Sequence, residues 1–281
     1  MSQLTISPDV QRLTPEQREQ FSEAGYLSNV PLFDADGVTH LQQRFQELCD
    51  LLPDGVDVSR INQWHKANKW VYDLCHTPAI LDYVEDLLGP DFFHWAASFF
   101  CKYPRDHTEV PWHQDAQYWP LSPHKAVTAW LAIYDTDEDN GAMQVVRGSH
   151  RVGEIAHVAV TGEQYMLGQE VVESAIDSEQ VVSLNLKAGQ ISLHDDAIIH
   201  GSPANTTTDR MRAGLTMRYS ATDVRCDLSV WPHFESYPAR GEDAYHLNPV
   251  GKVPTEDGFP VRANQVSADF ARRWADGGEA E

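Results

Sequence analysis

The sequence predicts an α+β fold, with helices in the first third packed on one face of a β-sandwich or jelly-roll barrel. Three observations carry this. Apolar residues recur at helical spacing as far as Gly89-Pro90, the pattern changes to short apolar and aromatic runs from Phe92, and Gly- and Asp-rich turns separate those runs.

The elements follow in order. Thr14-Pro15-Glu16-Gln17 is a helix start, with a cap, a proline at the first helical position and acid in the first turn, and that helix ends near Gly25. A second helix is expected from about Asp36 to Leu52, where Leu41, Phe45, Leu48 and Leu52 share a stripe. A third starts at Thr77-Pro78 and ends at Gly89, with Ile80, Leu81, Val84, Leu87 and Leu88 as its apolar face. Strands are expected over 92–103, 126–134, 142–146, 181–186, 190–193 and 213–219, with the turn Asp135-Thr136-Asp137-Glu138-Asp139-Asn140-Gly141 among them. Residues 150–180 read as a less regular insertion or lid, and a short helix is expected near Ala268–Trp274. Without repeats or a linker, residues 1–281 read as one domain: a helical part over about 14–90, a strand core over about 91–221 and a C-terminal extension over about 222–281.

Composition narrows the function. With 42% hydrophobic and 10% aromatic residues the 281-residue chain can bury a sizeable core. A formal charge of −21 repels nucleic acid and anionic membranes, so neither is an expected partner. Cys49, Cys75, Cys101 and Cys226 are scattered, and the start at Met1 has no basic, apolar leader. A cytoplasmic location is therefore expected, and no stretch reaches the roughly 18 apolar residues of a membrane span. Nothing in the chain specifies an oligomeric state.

Two segments carry the chemistry. Trp112-His113-Gln114-Asp115 offers an imidazole and a carboxylate at i and i+2, which face the same way on a strand. A distant third ligand would close one face of an octahedron, the arrangement of mononuclear non-haem iron. His-x-Asp alone is a weak signal. Its context is specific: Tyr118-Trp119-Pro120, then Asn140-Gly141, Arg147-Gly148-Ser149-His150 and His200-Gly201-Ser202 follow in order. These blocks, with the opening Thr-Pro-Glu-Gln-Arg-Glu-Gln-Phe run, resemble the phytanoyl-CoA dioxygenase family of Fe(II)/2-oxoglutarate oxygenases over roughly residues 12 to 221.

The resemblance implies a double-stranded β-helix of cupin-like, jelly-roll type. It also implies Fe(II) as cofactor, with 2-oxoglutarate and O2 as cosubstrates. By position the iron ligands would be His113, Asp115 and His200, with His194 a rival for the third place. The family's cosubstrate arginine falls at Arg212 or, in the alternative register, Arg210; Arg212 aligns better if one threonine of Thr206-Thr207-Thr208 is extra. A guanidinium suits a carboxylate because it donates two parallel hydrogen bonds. Ser98, Trp130, Ser202 and Lys102 carry over as further cosubstrate contacts, although Trp130 on a buried strand reads equally well as core. Related halogenases have a small residue in place of Asp115, so the carboxylate points to hydroxylation.

The substrate is less legible. Asn62, Gln63, Trp64, His65 and Lys66 lie in a stretch, residues 60–70, rich in cations, amides and Trp; it reads either as an exposed loop or as a pocket edge for a small anionic group. Gln117, Tyr118 and Trp119 follow the His-x-Asp pair and are expected on the substrate side. The expected partner is a small polar molecule, a small organophosphonate such as 2-aminoethylphosphonate, or else a secondary metabolite or amino-acid derivative. Two readings come from other classes. A zinc-dependent jelly-roll hydrolase would use the same triad without needing Arg212, and a non-catalytic binding protein would be expected to have lost part of the triad.

Overall fold

A computed structural model describes residues 4–260. Helix α1 (Pro15–Ala24) has a complete capping box, in which Thr14 accepts from the Gln17 backbone N–H and the Gln17 side chain accepts from the Thr14 N–H. It stops at Gly25, whose φ of 83° is left-handed. Helix α2 (Ala35–Asp50) buries Leu41, Phe45 and Leu48, as the stripe predicts, and α4 (Pro78–Leu88) buries Ile80, Leu81 and Val84. Between them lies α3 (Lys69–Cys75), a helix the sequence reading did not include.

Strands are numbered in chain order. The large sheet runs β1 (Tyr26–Pro31), β10 (Gln190–Asp195), β5 (Ala126–Ala132), β12 (Arg212–Ala221), β2 (Phe92–Lys102) and β14 (Tyr237–Arg240), all antiparallel. The smaller sheet runs β3 (Val110–His113), β11 (His200–Ser202), β6 (Gln144–Val146) and β9 (Val181–Ser183). Two short pairs complete the set: β4 (Leu121–Ser122) with β13 (Arg225–Cys226), and β7 (His157–Ala159) with β8 (Gln169–Val171). This is the fold class expected, helices against one face of a two-sheet, cupin-like β core.

Alternation along β12 explains how the large sheet serves two environments. Ala213, Leu215, Met217 and Tyr219 join the main core, where residues from α2, α3 and α4 cover them. Arg212, Thr216 and Arg218 point the other way and line a cavity. Neighbouring strands repeat the division: Leu131, Leu193 and Phe99 lie in the core, whereas Trp130, His194 and Phe100 line the cavity.

Two local expectations are corrected. The His-x-Asp pair is not on one continuous strand: β3 ends at His113, and Asp115 opens a 3-10 turn, Asp115–Tyr118. Gln114 between them is extended, and its side chain bonds the carbonyls of Gly153 and Ala197 and the N–H of Ile155. These bonds pin the start of the 150–180 segment, which, expected to be irregular, carries the strand pair β7–β8. The helix expected near Ala268–Trp274 lies outside the described residues.

Candidate metal centre and cosubstrate pocket

His113 and His200 are far apart in sequence but directly paired in register across β3 and β11. Cross-strand pairing puts both imidazoles on one face, with ring centroids 4.1 Å apart. Each Nδ1 lies against a backbone carbonyl, Pro111 O at 2.8 Å for His113 and Ile198 O at 3.1 Å for His200. A carbonyl only accepts, so each Nδ1 is the donor nitrogen and each Nε2 is the one left for a metal. Asp115 brings a carboxylate oxygen 3.7 Å from His113 Nε2. Burial alone would raise its pKa, but the Arg218 guanidinium holds it well below the usual carboxylate range. Burial, followed by His113, pushes His200 well below the usual histidine range, so it is neutral. The candidate ligand atoms of His113, Asp115 and His200 lie within 4.8 Å of one another and could hold a metal ion. Two imidazole nitrogens and one carboxylate oxygen fit Fe(II).

The cluster opens on a cavity lined among others by Trp130, Ser202, Arg212, Arg218 and His194. Arg212 is 2% exposed, and its Nε has no hydrogen-bond partner. Burial lowers its pKa to about 10, which leaves it charged at neutral pH. Arg210 is elsewhere, on the surface, paired with Asp137 and Asp139. Lys102 is fully buried beside this end of the cavity; its Nζ donates to Ser202 O at 2.9 Å, to Ser202 Oγ at 2.8 Å and to Pro203 O. Burial, then Arg212, draws its pKa down to about 6, while three oxygens around Nζ match the three donors of an ammonium. Ser98 is adjacent rather than lining: its hydroxyl donates to Asn62 at 3.0 Å, and its carbonyl accepts from Thr216, which does line the cavity. His194 is 1% exposed and lies 5.0 Å from the His200 ring, outside the three-residue cluster. Burial lowers its pKa to about 4, so it too is neutral.

The expected substrate residues separate into two groups. Tyr118 and Trp119 are near the metal cluster: the Tyr118 ring is 5.6 Å from that of His113, and Arg218 sits 5.2 Å over the Trp119 ring. Gln117 is exposed. Trp64 and His65 are on the other side of the large sheet. Trp64 packs on Phe99 in the main core, His65 is fully buried against His94 and Tyr237, and Lys66 pairs with Glu235. Neither an exposed loop nor a pocket edge describes Trp64 and His65; their bulk completes the helix-side core. Sequence reasoning missed Arg218, Thr216 and Thr128. The signal was present, because they alternate with core residues on the strands that carry Arg212 and Trp130.

Comparison with known proteins accords with this geometry. The phytanoyl-CoA dioxygenase (PhyH) family pattern matches residues 21–214. The chain belongs to the phytanoyl-CoA dioxygenase family. It is thus an Fe(II)- and 2-oxoglutarate-dependent dioxygenase. Mouse (Mus musculus) peroxisomal phytanoyl-CoA dioxygenase is 24% identical over 249 residues, 80% of this chain and 72% of the mouse protein. A probable alpha-ketoglutarate-dependent hypophosphite dioxygenase of Stutzerimonas stutzeri is 25% identical over 237 residues, 77% of this chain and 80% of that protein. Among solved structures, the non-heme monooxygenase ThoJ in its apo form superposes with a TM-score of 0.72 at 27% identity, covering 93% of this chain and 96% of ThoJ. Within this PhyH-family chain the described cysteines are free, and no helix among the described residues is long and apolar enough to cross a membrane.

Proposed function

We propose that this chain hydroxylates a C–H bond of a small polar substrate, with iron held by His113 Nε2, His200 Nε2 and the Asp115 carboxylate. The observation that carries the reading is that one buried cavity contains both this three-donor cluster and the guanidinium of Arg212. Iron and 2-oxoglutarate, when bound, supply the oxidising chemistry: one atom of O2 goes to succinate as CO2 is lost, and the other enters the substrate as hydroxyl.

The chain's own residues supply binding and position. Arg212 takes the distal carboxylate of 2-oxoglutarate, which gives its unpartnered Nε an acceptor. Trp130 lies 4.8 Å beneath that guanidinium and fixes its plane. Lys102 orients Ser202 beside it. Tyr118 and Trp119 border the metal cluster and help to exclude water from the reacting bond.

The finer reading is a small organophosphonate such as 2-aminoethylphosphonate, oxidised at the carbon next to phosphorus. It no longer draws support from residues 63–66, and rests instead on the likeness to a hypophosphite dioxygenase and on a second guanidinium, Arg218, in the cavity. The test is purified protein with Fe(II) and 2-oxoglutarate under air, with succinate measured against a panel of phosphonates, amino-acid derivatives and secondary metabolites. Substrate-dependent succinate is expected. Tight zinc binding with no succinate from any member would overturn the oxygenase reading.

A further inference from the structure

We propose that Arg218, Thr128 and His194 together seat an anionic group of the substrate, making a small phosphonate or carboxylate the class of molecule this cavity selects. The proposal rests on the hydroxylase reading above and adds to it a second anion site, separate from that of Arg212.

The three residues form one row across three strands. Arg218 on β12 pairs in register with Thr128 on β5, and Thr128 pairs with His194 on β10. All three line the cavity. Each has polar atoms left without a partner: Arg218 Nε, Thr128 Oγ1, and both ring nitrogens of His194. Buried polar groups are rarely left unbonded, and three neighbours orphaned toward one space mark a ligand's position. A guanidinium, a hydroxyl and an imidazole N–H are all hydrogen-bond donors, the complement of a tetrahedral or planar oxyanion.

Charge points the same way. Arg218 cannot shed its proton to relieve burial. Its nearest carboxylate is Asp115, with Oδ2 3.8 Å from Nε, too long for a hydrogen bond. Once Asp115 commits its charge to a divalent cation, Arg218 is left without a matched anion. Its other contacts are a 3.3 Å hydrogen bond to Thr216 and the Trp119 ring, which hold the guanidinium plane without neutralising it. Arg212 lies at the far end of the same strand face, with Lys102 and Ser202 beside it, so the two cations serve different ends of the cavity.

The test uses the full chain loaded with Fe(II) and 2-oxoglutarate under nitrogen. Calorimetry follows binding of 2-aminoethylphosphonate, methylphosphonate, L-proline and acetate, with the diethyl ester of 2-aminoethylphosphonate, which keeps the ammonium and has no anionic oxygen, as the control. The first two probes against the second two decide between phosphonate and carboxylate. At least one anion is expected to bind, the ester at least tenfold more weakly. Arg218→Gln should weaken the anion at least tenfold and Thr128→Val about threefold, while iron content and 2-oxoglutarate affinity stay within twofold. Thr128→Val, a near-isosteric change, keeps the test decisive if Arg218→Gln fails to fold. Wild-type protein that holds iron and 2-oxoglutarate but binds none of the anions overturns this proposal and leaves the hydroxylase reading standing. Loss of iron in Arg218→Gln would make Arg218 a positioning residue for Asp115. Loss of 2-oxoglutarate would assign it to the cosubstrate, and either result overturns the proposal. Failure of the wild type to hold iron and 2-oxoglutarate at all sinks both readings.

Discussion

The Arg212 guanidinium rests 4.8 Å over the Trp130 ring, and that ring occupies the space a side chain at position 214 would need. A Cβ on Gly214 would stand 2.0 Å from Trp130 Cζ2. The glycine is required here for room, not for an unusual backbone angle. Gly214→Ala must therefore push the indole out from under Arg212. Overpacking of this kind costs about 1–3 kcal/mol, which in a chain of this size lowers Tm by roughly 2–4 °C per kcal/mol. The expected result is a Tm drop of that order with weaker 2-oxoglutarate binding. An unchanged Tm and cosubstrate affinity would show that the indole is not held as described.

The two candidate arginines are separated by environment. If Arg212 takes the cosubstrate as proposed, removing it leaves a carboxylate unpaired in a buried pocket, a loss of about 2–5 kcal/mol for a desolvated charge pair. Arg212→Ala should therefore raise the KM for 2-oxoglutarate by at least about 30-fold, since each 1.4 kcal/mol is tenfold. Arg210→Ala removes an exposed ion pair with Asp137. Such pairs contribute about 0–1 kcal/mol to stability, and KM should stay within about twofold. Steady-state kinetics with 2-oxoglutarate varied decides it, and equal effects would refute the assignment.

Metal binding should distinguish His200 from His194. A ligand present at 100 times its Kd stabilises the folded state by about 2.7 kcal/mol. Added Fe(II), kept anaerobic, should raise the wild-type Tm by several degrees. His200→Ala should lose that shift. His194→Ala should keep it, because His194 lies outside the His113–Asp115–His200 cluster. A shift lost only in His194→Ala would reverse the ligand set.

Much of this site was legible because it depends on local rules. The capping box at Thr14, the left-handed Gly25 and the apolar stripe of α2 each follow from a few neighbouring residues. The clustering of His113, Asp115 and His200 was legible through spacing and order. What stayed hidden depends on which face of a sheet a segment meets. Residues 62–66 carry cations and amides, yet Trp64 and His65 are core because the chain crosses the helix side of β2, while Asn62 reaches Ser98. Strand β1 went unread because Tyr26–Pro31 follows α1 after a single glycine and ends in proline, with its hydrogen bonds supplied by β10, far along the chain. Arg218 was readable from period-two alternation with Met217 and Tyr219, but only once β12 was known to have a polar cavity on one side.

The buried histidines on the helix side set a pH limit on stability. His65 and His94 are fully buried with ring centroids 4.5 Å apart, and Tyr237 and His76 close around them. Burial, then the neighbouring histidine in each case, holds both well below the usual histidine pKa. In the unfolded chain they protonate near pH 6.5. Below that pH the unfolded state therefore binds more protons than the folded one, and stability falls as pH falls. Each such group contributes a slope of about 1.4 kcal/mol per pH unit until the folded imidazole itself titrates. His65→Gln should remove one group's share: its denaturant-unfolding free energy should fall less steeply than wild type between pH 6.5 and 5, by about 0.7 kcal/mol per unit at pH 6.5 and approaching about 1.4 toward pH 5. The comparison must be of slopes, because the substitution also changes packing against Tyr237 and shifts the whole curve. Parallel wild-type and variant curves over this range would mean that His65 takes up no more protons unfolded than folded, contrary to its burial.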